Sequence, residues 1–195
     1  MSATVTFYLA GGGTQSAHVT IAAGAQQVVN ANAVLGSSVN NSAVVTSSGG
    51  PILAERFMSF NYNGGVGGGP GLPGGIQGAS DVLGAAAPAQ LFEFAEGYTG
   101  PTFAEYLTLE NPNANVAHVT VRYLPQNGGA PTVLTYTLPA NSRTTIYTNR
   151  VMYNQSFSME LLADQPIVAE RPMYFSFSGG YGPQNGGSDV IGYAP

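Results

Sequence analysis

Apolar and polar residues alternate along most of the chain. Val119, Val121 and Tyr123 fall on one parity, and His118, Thr120 and Arg122 on the other. Leu134, Tyr136 and Leu138 repeat the pattern, as do Phe157, Met159 and Leu161 and, near the amino terminus, Ala17, Val19 and Ile21. A period of two puts successive side chains on opposite faces of an extended strand, and no stretch shows the 3.6-residue period of an amphipathic helix. Turn-forming clusters punctuate the runs at Gly11-Gly12-Gly13, Asn111-Pro112-Asn113, Asn127-Gly128-Gly129 and Gly179-Gly180. The pattern predicts an all-β chain of short antiparallel strands.

The chain also matches itself. Thr4-Val5-Thr6-Phe7-Tyr8 aligns with Thr120-Val121-Arg122-Tyr123-Leu124, Ile21 to Gly24 with Leu138 to Asn141, and Val29 to Asn32 with Ile146 to Asn149. Pro51-Ile52-Leu53-Ala54-Glu55-Arg56-Phe57-Met58 returns as Pro166-Ile167-Val168-Ala169-Glu170-Arg171-Pro172-Met173, and Ser80-Asp81-Val82-Leu83-Gly84 as Ser188-Asp189-Val190-Ile191-Gly192. Five blocks in the same order indicate an internal duplication. The expected fold is two tandem antiparallel immunoglobulin-like β-sandwich repeats, at residues 1–88 and 89–195, of about 100 residues each. The first copy starts inside the strand that matches Val119 to Leu124, so its opening strands are missing. Residues 64–78 hold nine Gly and two Pro and read as a Gly-rich loop, with a shorter counterpart at 179–187. Ala85-Ala86-Ala87-Pro88 reads as the joint between copies.

Composition narrows the function. Only 8% of the 195 residues are charged, the five cations are all Arg, and the net charge is −5. A nucleic-acid grip needs a clustered basic surface, which this chain lacks. Without Cys there is no disulfide framework and no thiolate metal site. No apolar run reaches the roughly 20 residues that span a bilayer. Neither a Gly-x-Ser-x-Gly elbow nor a His–carboxylate partnership stands out, and most carboxylates recur at repeat positions or flank turns. No cofactor, metal or catalytic group is expected, and the chain reads as non-enzymatic.

The string Phe94-Ala95-Glu96-Gly97-Tyr98-Thr99-Gly100, followed by Glu105 to Pro112 and by Pro166 to Phe175, resembles a module found in tandem in large secreted or surface-attached bacterial proteins. The resemblance covers residues 92–195 and, with looser matches, 4–84. It implies an extracellular or cell-surface, non-catalytic β-rich repeat.

Counting by twos puts Ile167, Ala169, Arg171, Met173, Phe175 and Phe177 on one face, and Ile52, Ala54, Arg56, Met58, Phe60 and Tyr62 on its equivalent. An Arg on a core-facing side needs a carboxylate, because an unpaired buried guanidinium costs several kcal/mol. Glu96 and Asp189 are the candidates for Arg171, and Asp81 for Arg56. The missing strands leave Val5, Phe7 and Val19 facing an unfilled groove. Sheet edges are ordinarily guarded by Lys, Pro or inward charges, and this chain has no Lys. The groove could be filled by an adjacent repeat of a longer chain, by a strand from a neighbouring subunit, or by residues 89–97 turning back. The expected function is a structural subunit or segment of an extracellular filament, sheath or stalk that self-associates through strand complementation. The alternative is a surface adhesion or carbohydrate-binding module, since 10% of the residues are aromatic.

Overall fold

A computed structural model describes residues 1–62 and 75–195. Residues 64–74 of the expected Gly-rich loop lie outside the described residues. The chain is all-β, with every ladder antiparallel. In chain order the strands are β1 (Ser2–Leu9), β2 (Thr14–Thr20), β3 (Asn41–Ser48), β4 (Glu55–Tyr62), β5 (Ile76–Leu83), β6 (Ala89–Tyr98), β7 (Phe103–Asn111), β8 (Ala117–Pro125), β9 (Thr132–Leu138), β10 (Ser142–Tyr147), β11 (Ser156–Gly179) and β12 (Gly182–Ile191). One short helix, α1 (Ala31–Leu35), escapes the periodicity reading. Its nucleus is local: the Asn30 side chain accepts from the amides of Asn32 and Ala33, and Gly36 closes it at a φ of 83°.

The 24-residue strand β11 organises the second half. Its first part pairs with β6 and β8, and β8 carries β9. Its second part pairs with β7 and β12, and β7 carries β10. The β6 ladder shifts register between Leu162 and Ile167, where the partners of β11 change from β6 and β8 to β7 and β12. Phe92 and Phe94 of β6, Leu107 and Leu109 of β7, Val119 and Val121 of β8, and Met159 and Leu161 of β11 belong to one hydrophobic core.

The first half repeats these ladders in the same register. Val5 faces Val45 as Val121 faces Leu161. Ala3 faces Val19 as Val119 faces Tyr136. Arg56 faces Val82 as Arg171 faces Val190. What it lacks is any counterpart of β6 and β7, and three further differences accompany that lack. Residues 25–30 align with the start of β10 but form no strand, because the β10 ladder is made with β7 alone. The long strand is interrupted between β3 and β4, where Gly49 and Gly50 adopt φ of 91° and 149°. Among the described residues, each of those two strands is paired along one edge only.

The expectation that Val5 and Phe7 face an open groove is corrected: both are buried, and Val19 is half-buried. β1 is the central strand of its sheet, flanked by β2 and β3. The opening lies on β3 instead. Ala43 is exposed and Val45 half-buried, whereas their counterparts Met159 and Leu161 are 2% and 0% exposed. Residues 89–97 do not turn back onto the first half, because β6 pairs with β11.

The two Gly-rich stretches also need correction. β5 begins at Ile76, which is fully buried, and residues 182–187 belong to β12. Glycine enters these strands because an aromatic ring across the ladder occupies the side-chain space. A Cβ on Gly78 would lie 2.8 Å from the ring of Phe60, its ladder partner, and one on Gly187 would lie 2.8 Å from that of Tyr174.

Truncating Leu161 to Ala should cost about 2–5 kcal/mol, as for a buried Leu in a tight core. The equivalent Val45→Ala should cost less than about 1 kcal/mol, because that position is only half covered. Urea unfolding of the two variants checks the asymmetry, and equal losses would show that the first half is as completely packed as the second.

Candidate functional site

The polar chemistry of the chain concentrates where its two halves meet. Alternation on β4 puts Arg56, Met58, Phe60 and Tyr62 on one face, as the sequence indicates. That face does not lie over a core of the first half. It lies against the outer surface of the β7–β11–β12 layer. Arg56 donates from Nη1 to Glu170 Oε2 at 2.8 Å and from Nη2 to Asp189 Oδ2. One guanidinium thus bridges carboxylates on β11 and β12.

Asp81 is therefore not the partner of Arg56, and Asp189 is not the partner of Arg171. Residues directly opposite in an antiparallel ladder share a face. Asp81 stands opposite Phe57 and Asp189 opposite Pro172, each one residue out of phase with the Arg of its own half. Asp189 accordingly points outward, where Arg56 arrives from the other half. Asp81 points to the exposed side of the β4–β5 hairpin, where the carboxyl of Glu55 beside it is raised by hydrogen bonding to Asp81.

Arg171 is buried as expected and donates from Nη1 to the main-chain carbonyl of Glu96, not to its carboxylate. The negative charge beside it belongs to Glu105, which is fully buried. Burial pushes the Glu105 carboxyl up to about 7, against the opposing pull of the Arg171 charge and of the Tyr98 amide, which donates to Oε2 at 2.7 Å. The sequence contained a signal for Glu105, since it shares parity with Leu107 and Leu109 on the inward side of β7. Glu170 was hidden because its partner lies 114 positions away in another ladder.

An aromatic cluster continues the seam. Tyr62 stacks on Tyr174 with ring centroids 4.3 Å apart, Phe60 meets Tyr174 edge-on at 5.1 Å, and the Tyr62 and Tyr106 hydroxyls are 2.6 Å apart. Tyr62, Tyr106 and Tyr147 are buried. Burial, followed by the charge of Glu170, pushes Asp189 up to about 6, with Arg56 opposing. Arg143 stands in the same field, lowered by its burial. Glu110 of β7, raised by burial, lies beside Ser42 of β3.

Two surface features lie apart from the seam. Gln126, Asn127, Asn154, Gln155 and Ser156 line an open cleft of about 300 Å³. Phe103 and Phe177 stack with centroids 5.8 Å apart, and Phe177 and Tyr181 are exposed. Among the described residues no group of three or more His, Asp or Glu is placed to share a metal ion, and no helix is long and apolar enough to cross a membrane.

No family model matches the chain, and no curated protein matches it. Among solved structures it is similar to the crystal structure of Thermotoga maritima 1070, at 15% identity and a TM-score of 0.50, covering 55% of this chain and 96% of that one. It is also similar to the Anabaena sensory rhodopsin transducer, at 21% identity and a TM-score of 0.40, covering 45% of this chain and 99% of that one. The first likeness shows a shared β fold.

Because burial raises Glu105 and Asp189, the folded chain holds their protons more tightly than the unfolded chain does. Their share of stability is present below about pH 4 and falls as pH rises through about 6 and 7. The expected loss is a few kcal/mol between pH 4 and 8. Glu105→Gln, which mimics the protonated form, should flatten the upper part of that decline in thermal unfolding scans. Arg56→Ala leaves Asp189 buried without its cation and should cost about 1–3 kcal/mol at pH 8 and less at pH 4, where Asp189 is neutral.

Proposed function

We propose that this chain is a non-enzymatic structural repeat protein, a subunit or segment of an extracellular filament, sheath or stalk. In this reading its halves are two tandem immunoglobulin-like sandwich repeats, related to the surface modules that the Phe-Ala-Glu-Gly-Tyr and Ala-Glu-Arg strings resemble. The first is completed by strands from a neighbouring subunit. The observation that supports the reading is the pair of strands β3 and β4, each paired along one edge only among the described residues, where β6 and β7 pair in the second half. Unpaired backbone groups recruit extended polypeptide, and a head-to-tail contact that does not close grows into a fibre. The scarcity of charge and the absence of Lys leave little to oppose such association.

A surface adhesion or carbohydrate-binding role is the second reading. It is favoured by the exposed Phe177 and Tyr181, next to the ring of Phe103, and by the amide-lined cleft.

Size-exclusion chromatography and electron microscopy of the purified chain separate the two. Assembly predicts species that grow with concentration into open-ended polymers. A stable monomer at high concentration that binds saturably on a glycan array would replace it with the second reading.

A further inference from the structure

We propose that the amide-lined cleft and the strip of rings running from Tyr98 to Phe177 are one binding site, and that its ligand is a neutral oligosaccharide. The proposal rests on the surface-binding reading, the second of the two above, and adds the place of contact and the chemical class of the ligand.

Tyr98 joins the two parts. It stands opposite Ser156 in the β6–β11 ladder, so the two side chains share a face. On the other flank of β11 the Gln126 amide donates to the Ser156 carbonyl at 2.9 Å, which brings the β8–β9 turn alongside. The Tyr98 ring folds over Gly100, where any Cβ would collide with it, and meets Phe103 edge-on with centroids 4.8 Å apart. Phe103 in turn stacks on Phe177. Phe177 and Gln184 are ladder partners, so a further carboxamide flanks the strip at its far end. The strip lies on the side of β11 turned away from the β4–β5 hairpin. Phe60 and Tyr62 of that hairpin rest on Tyr174, whose parity is opposite to that of Phe175 and Phe177.

The ligand class follows from the lining. The cleft residues offer four carboxamides and one hydroxyl, and none of them carries a charge. A carboxamide both donates and accepts, which matches the hydroxyl groups of a sugar. An anionic ligand would find no cation among these residues to pair with. The rings supply flat apolar faces for the C–H side of a pyranose, the surface its hydroxyls leave bare. An extended peptide would need a free strand edge at the cleft, and β11 offers none there, being flanked by β6 and β8. The cleft is also held in place before any ligand arrives. Buried Thr99 donates its amide to the Gln155 carbonyl at 3.0 Å, and the Asn154 amide donates to the Thr99 carbonyl at 3.1 Å. Asn127 accepts the Gly129 amide on its side-chain oxygen at 3.1 Å, which leaves its NH2 group to donate outward. Little ordering therefore opposes binding.

Isothermal titration of the full chain with neutral hexasaccharides of glucose, xylose and N-acetylglucosamine, and with hexagalacturonate as the anionic comparison, tests the site. At least one neutral hexasaccharide should bind saturably, and hexagalacturonate should not. Phe177→Ala in the strip, and Gln126→Ala with Gln155→Ala in the cleft, alter exposed side chains, and each change should weaken binding at least tenfold. Leu162→Ala, exposed elsewhere on β11, should leave binding unchanged. A second measurement needs no variant: the bound sugar should shift the amide NMR resonances of Thr99, Asn127, Gln155 and Phe177 of the wild-type chain together. Weakening by one set of changes alone, with shifts confined to that part, overturns the single site. Binding that neither set weakens overturns the site altogether and leaves the carbohydrate reading standing. A preference for hexagalacturonate overturns the neutral ligand. No binding to these sugars, nor to any neutral glycan on an array, overturns the site together with the reading it rests on.

Discussion

Backbone pairing is the constraint on which the structure depends. A strand is stable only when its amides and carbonyls find partners, and β7 is the partner that two other strands share. Where β7 is present, β10 and the second part of β11 are strands. In the first half the segment equivalent to the start of β10 has no ladder, and the long strand is interrupted at Gly49 and Gly50, whose φ values are 91° and 149°.

The seam between the halves is the electrostatic counterpart of that vacancy. Arg56 retains the inward parity that its repeat position dictates, yet with no strands of the β6–β7 kind alongside, the nearest carboxylates are Glu170 and Asp189. The outer layer of the second half accepts it because Asp189 and Glu170 sit on the parity opposite to Arg171. The same short Ala-Glu-Arg motif thus supplies a cation to the inside of a layer and an anion to the outside of it. A duplicated motif with that property can bind its own copy.

Much of this was legible in advance, and the exceptions have physical causes. Alternation at Val119, Val121 and Tyr123 identified strands because packing on a pleated layer selects every second residue. The repeated blocks implied the repeated ladders, since register follows the inward residues. The carboxylate partners were misassigned because parity along one strand was considered without parity across the ladder. Asp189, one residue out of phase with Arg171, belongs to the opposite face. The glycines of β5 and β12 suggested loops because composition alone does not reveal a ring lying across the neighbouring strand. Val5 and Phe7 are buried although the repeat alignment alone suggests a bare face, because what covers a sheet face depends on tertiary packing and not on the alternation along the strand.

The way the halves are joined has a mechanical consequence. Within each sheet, neighbours are held by ladders of main-chain hydrogen bonds, which under tension share the load and resist shear. Between the halves, the identified contacts are side-chain ones, a bridging guanidinium and a few stacked rings, which carry load one after another. A load that separates the halves therefore meets side-chain contacts at the seam and no ladder that any pair of described strands forms across it.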